Sequence, residues 1–166
     1  MIEQKLESAI VAAVEALGVS GMDVSGLWNP VSAGFVKGEE ANSSAAAGAV
    51  VRVAPRAYDA VTFPTATFDC TVSLVVRTDL DPDGAILASA ADKISAFLAR
   101  LHRTVAHGED QGLDVDGLDV AAFHLTGGSG PVFDEAVATW AVTYNFTVVG
   151  VVSDATLQTT EQQEES

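Results

Sequence analysis

The chain has 166 residues, of which 48% are hydrophobic and 19% charged, and its 23 acidic against 8 basic side chains give a net charge of −15. That length fits one hydrophobic core, and the acidity excludes a tight duplex binder, because Lys5, Lys37, Arg52, Arg56, Arg77, Lys93, Arg100 and Arg103 are isolated rather than clustered against phosphates. No basic and apolar leader opens the sequence and no apolar run approaches the length of a membrane span, so a cytosolic origin without membrane contact is expected.

Ile2, Leu6, Ile10, Ala13, Val14 and Leu17 recur at spacings of three and four. They predict an amphipathic helix over 2–17, with Glu3, Glu7 and Glu15 off the apolar stripe and Gly18 ending it. Residues 18–48 are rich in Gly and Ser, interrupted by Pro30, and polar at Lys37, Glu39, Glu40 and Asn42. They read as a loop-rich excursion with short strands around 31–36, and a loop that long in a compact domain is usually functional or an interaction arm. A short strand is expected over 49–53, with Pro55 and Pro64 bracketing a turn region. Ala66, Phe68, Cys70, Val72, Leu74 and Val76 then alternate with Thr67, Asp69, Thr71, Ser73 and Val75. This is the pattern of a half-buried strand, and its polar second face favours an antiparallel sheet.

Asp79-Leu80-Asp81-Pro82-Asp83-Gly84 breaks that strand, and Ile86, Leu87, Ala90, Ile94, Phe97, Leu98 and Leu101 predict a second amphipathic helix over 83–103. A polar connection over 104–117 leads to a strand at 118–125, a turn at Thr126-Gly127-Gly128-Ser129-Gly130-Pro131, and a long strand over 134–152. In that last strand Trp140, Val142, Tyr144, Phe146 and Val148 share one face, opposed by Thr139, Ala141, Thr143, Asn145 and Thr147. Residues 153–166 read as a flexible acidic tail. Without its four acids the body keeps 19 acids and 8 bases, net −11. The expected fold is a single α+β domain over 1–152: an antiparallel sheet of about four strands with two helices on one face, in the order α-β-β-α-β-β. Leu74, Phe97 and Trp140 are expected to be among its most buried residues.

Few residues form a chemical constellation. Asp79-x-Asp81-x-Asp83-Gly84 matches the first half of a calcium loop, but its twelfth position is Ala90 where a bidentate Glu is needed. A helix-capping turn is the better reading. His102, His107 and His124 lack a metal-ligand spacing. Gly127-Gly128-Ser129-Gly130 lacks the Lys of a phosphate loop and reads as a hairpin turn. Cys70, the lone cysteine, sits on an apolar face and reads as a buried inert thiol. No catalytic, cofactor or metal residues are assigned, and a non-enzymatic role is expected. The alternating aromatics of the last strand fit a core face. Its Thr and Ala face lacks the charge that usually protects an exposed strand, which suggests cover by a neighbour or by the excursion.

The opening helix at 2–17, the excursion, the strand at 66–77, the helix at 83–103 and the closing run Trp140-Ala141-Val142-Thr143-Tyr144-Asn145-Phe146 together resemble the tail terminator (tail completion) proteins of long-tailed bacteriophages. The resemblance spans about 2–152 and rests on organisation, not on a signature motif. It implies a non-enzymatic virion protein assembled in the host cytoplasm. Such a protein would form a hexameric ring that caps the tail tube protein, meets the head connector protein, and lets DNA pass as cargo only. An acidic surface that repels DNA is compatible with such a conduit. Candidate subunit contacts are Lys37, Glu39, Glu40 and Asn42 of the excursion with Thr139, Thr143, Asn145 and Thr147 of the last strand. Another neck protein, or a small acidic ligand- or calcium-binding module, is the alternative.

Overall fold

The computed structural model describes residues 1–28, 45–58, 65–106 and 113–153, with the backbone alone at 103–106. Helix α1 is Ile2–Glu15 and helix α2 is Ala85–Ala106. The strands are β1 (Met22–Gly26), β2 (Ala47–Val53), β3 (Ala57–Tyr58), β4 (Thr65–Arg77), β5 (Leu118–Asp134) and β6 (Thr139–Val152). They form one six-stranded sheet in the order β1-β2-β4-β6-β5, with β3 also on β4.

The expected α+β class with two helices holds, but the sheet is larger than four strands and is mixed. β1 runs parallel to β2, with Met22 opposite Ala47 and Gly26 opposite Val51, while the other pairs are antiparallel. The order is therefore α-β-β-β-β-α-β-β. β1 escapes the sequence pattern because it is five residues long and contains Gly and Ser. The parallel pair also gives the long segment between Gly26 and Ala47 a topological reason. Parallel neighbours cannot be joined by a tight turn, since the chain must return the length of the pair. Residues 29–44, which hold most of the expected excursion, lie outside the described residues.

β2 and β3 lie along the same edge of β4, interrupted at Ala54-Pro55-Arg56. Proline has no N–H to give to the ladder, so the pairing breaks there and resumes. β4 leads through α2 to β5, and β6 slots between β4 and β5 as an antiparallel partner of both.

The period-two run in β4 buries Ala66, Phe68, Cys70, Val72, Leu74 and Val76 on the face that carries the helices. They join Ala47, Ala49, Val51 and Val53 of β2, Phe146 and Val148 of β6, Ile2, Leu6, Ile10 and Val14 of α1, and Ala90, Ile94, Leu98 and Leu101 of α2 in one core. Leu74 and Phe97 are buried as expected, but Trp140 is only half-buried and packs against Phe133 with ring centroids 5.1 Å apart. The reason lies in the path of α2. It starts beside Gly21, where Ile86 approaches, accepts the Tyr144 hydroxyl at the Ala91 carbonyl (3.2 Å), and takes the Leu125 N–H on His102 Nδ1 (3.3 Å). Among the described residues, this diagonal leaves the corner of the sheet formed by the end of β5 and the start of β6 without a helix over it.

That corner also corrects the expected turn. Gly127-Gly128-Ser129-Gly130 lies within β5, and the hairpin turns instead at Glu135-Ala136-Val137-Ala138. Register shifts between Leu125 and Gly127 and between Ser129 and Val132 take up the extra residues, with φ at +135° for Gly127 and +121° for Gly130. The glycines mark bulges rather than a reversal.

Candidate interaction surface

Five features of the described molecule carry polar or exposed chemistry. The first is on α1. Glu3 and Glu7, set off the apolar stripe by the sequence pattern, are in fact buried. Glu3 receives the Arg56 side chain in a fork, Nη2 to Oε1 at 2.6 Å and Nε to Oε2 at 3.0 Å, and Oε2 also takes the Arg56 backbone N–H at 3.0 Å. It thus satisfies the backbone at the β2–β3 break. Burial pushes the Glu3 carboxyl up, but the Arg56 hydrogen bonds together outweigh it and hold it below its ordinary value. Glu7 Oε1 takes the Trp28 N–H at 2.7 Å, while Oε2 has no partner among the described residues. Here burial dominates over the backbone donors Trp28, Val53 and Leu27, and the carboxyl is raised. A Cβ at Gly26 would run into the Glu7 carboxylate, so glycine is required for the strand to approach it. Both glutamates pin α1 to the sheet.

The second feature is the acidic turn before α2. Asp81 is buried, and its Oδ1 and Oδ2 accept the N–H groups of Ile86 and Leu87, each at 3.0 Å. Asp83 Oδ1 accepts from Ala85 at 3.2 Å. The turn caps the helix, as the alternative to a calcium loop requires. His102 is engaged by the Leu125 N–H and lies edge-on to His124 at 6.0 Å, and His107 lies outside the described residues. The Cys70 thiol is buried and burial pushes its pKa up, which makes it a poor nucleophile.

The third feature is the sheet face away from the helices. β4 contributes Thr65, Thr67, Asp69, Thr71, Ser73, Val75 and Arg77, and β6 contributes Thr139, Ala141, Thr143, Asn145, Thr147, Val149 and Val151. Asp69 and Arg77 alone are charged at these positions. Thr147 Oγ1 donates to Asp69 Oδ1 at 3.2 Å, and Thr71 Oγ1 to Asn145 Oδ1 at 3.3 Å. Thr143, Asn145 and Thr147 are thus gathered on one face, Asn145 exposed and the two threonines half-buried. Thr139 shares the face but is buried at the end of the sheet. Lys37, Glu39, Glu40 and Asn42 lie outside the described residues.

The fourth is the exposed hairpin end, with Val132 57%, Phe133 42% and Val137 53% accessible. The sequence marks it only weakly, because its apolar residues interrupt a Gly-rich stretch. The fifth is a groove of about 320 Å³ between the end of α1 and α2, lined by Leu17, Lys93, Ala96, Phe97 and Arg100. A larger open cleft of about 460 Å³ lined by Glu15, Val19, Met22, Asp23 and Val24 brings no nucleophile together with a base.

No family model matches the chain, and no curated protein matches its sequence. Among solved structures, the chain is similar to a chain of the virion of a native gene transfer agent particle, at 17% identity and a TM-score of 0.47, over 90% of this chain and 91% of that one.

Proposed function

We propose that this chain is a non-enzymatic structural subunit of a phage-like virion, of the tail terminator kind, that closes into a homo-oligomeric ring. The low-charge sheet face away from the helices carries this proposal. Fourteen outward positions on β4 and β6 hold two charges, Arg77 paired with Asp79 and Asp69 hydrogen-bonded by Thr147. Thr, Ser, Ala and Val cost less to desolvate than charged side chains do, so such a face suits burial against another subunit. Long sheets that stay in water are normally guarded by charge.

In this role the ring ends the tail tube, its other side meets the head connector, and the acidic surface keeps passing DNA from adhering. The calcium-module alternative loses its main support, since both Asp81 oxygens are committed to backbone N–H groups of α2. Light scattering on the purified chain tests the proposal, with a closed oligomer expected and a monomer at all concentrations against it.

A further inference from the structure

We infer that the hairpin end between β5 and β6 of one copy docks in the α1–α2 groove of a second copy. This rests on the chain being a ring subunit and names the contact that closes the ring. The hairpin end presents Phe133 and Val137 beside Asp134 and Glu135, all exposed. The groove presents the half-buried Leu17 and the exposed Ala96 between Lys93 and Arg100, with the buried Phe97 ring beneath them. Apolar matches apolar and acid matches base. In a chain of net charge −15, two copies approach at least cost where one offers cations, and here Lys93 and Arg100 line a concavity together. Lys5, Arg56 and Arg77 are already paired with Asp116, Glu3 and Asp79. The Arg100 guanidinium lies over the Phe97 ring at 5.6 Å, which fixes one wall of the groove.

The hairpin end is organised before it binds. Asp134 Oδ1 takes the Ala136 N–H at 3.0 Å, and the Ala138 carbonyl accepts both the N–H and the hydroxyl of Thr78, at 3.1 and 2.9 Å. A rigid projection loses little freedom on docking. Among the described residues no hairpin residue lines the groove of its own chain, so the hairpin that docks there is a second copy's. The two patches differ, and such a heterologous contact generates a ring when its rotation closes.

The test reverses the charges in the full chain. Lys93→Glu and, separately, Glu135→Lys, which spare the Asp134–Ala136 hydrogen bond and the Arg100–Phe97 contact, are each compared with wild type by light scattering at moderate salt. Far-UV circular dichroism checks the fold of each. Each substitution should raise the concentration needed for assembly by about tenfold, and the two-site combination should recover it. Wild-type oligomers with unchanged assembly in both reversed forms would overturn this contact and leave the ring proposal standing. So would failure of the combination to recover. A wild type that stays monomeric would overturn both.

Discussion

Glu3 and Glu7 sit one helical turn apart and titrate in opposite senses. Glu7 is raised by burial, so the fold holds its proton more tightly than the unfolded chain does. Its contribution is complete below the ordinary glutamate value and is lost as pH rises through the raised folded value. Glu7→Gln keeps an acceptor for the Trp28 N–H and removes the charge. Urea midpoints measured from about pH 4 to pH 7 should therefore decline less with pH in the variant than in the wild type, and equal slopes would contradict this. Glu3 is depressed by Arg56, so its contribution is present above the ordinary glutamate value and is lost as pH falls through the folded one. At neutral pH, Glu3→Gln should cost about 1.5–3 kcal/mol in the same assay, because it removes charged hydrogen bonds from a buried site. The gap should close in acid. Neither glutamate was legible as buried in the sequence. Their positions flank the stripe of Ile2, Leu6 and Ile10, and charge alone argued for solvent. The partner that makes burial tolerable, Arg56, lies far away in sequence at the β2–β3 break.

Elements with strong periodicity were legible and those with weak periodicity were not. α1, α2 and β4 lie within three residues of the bounds their apolar spacing predicts, and the acidic turn was readable as a cap. Asp81→Ala should cost about 0.5–2 kcal/mol, since it leaves the Ile86 and Leu87 N–H groups unpartnered in the first turn. Thermal or urea unfolding measures it, and no loss would show that the cap is dispensable. β5 was cut short in the sequence because a Gly-rich run resembles a turn. What makes it a strand is the long partner β6, against which Gly128 packs so closely that a Cβ would strike the Thr143 carbonyl oxygen. Gly128→Ala should therefore destabilise by about 1–3 kcal/mol, with the same unfolding measurement as the check. A neutral outcome would mean that the hairpin relaxes around the added methyl.

At the scale of the molecule, one core joins both helices to one face of a mixed sheet, and the other face keeps few charges. The class and the two-helix layer followed from the sequence. The parallel β1–β2 pair did not, because a five-residue strand with Gly and Ser carries no period. Nor did the diagonal of α2, which leaves the β5–β6 corner open and Trp140 half-buried. Only the relative placement of distant elements decides which end of a strand is covered. Net charge of −15 per copy also bears on assembly. Like charge repels between copies, so added salt should favour the oligomer up to the point where the Lys93 and Arg100 contact is itself screened. Sedimentation across a salt series would show a rise and then a fall, whereas a steady fall would mean that paired charges alone hold the copies together. The most direct measurement is the mass of the purified full chain at moderate salt by light scattering, with negative-stain images of the same sample. A single closed ring of several copies is expected, and a monodisperse monomer at every concentration would contradict the structural role proposed for this protein.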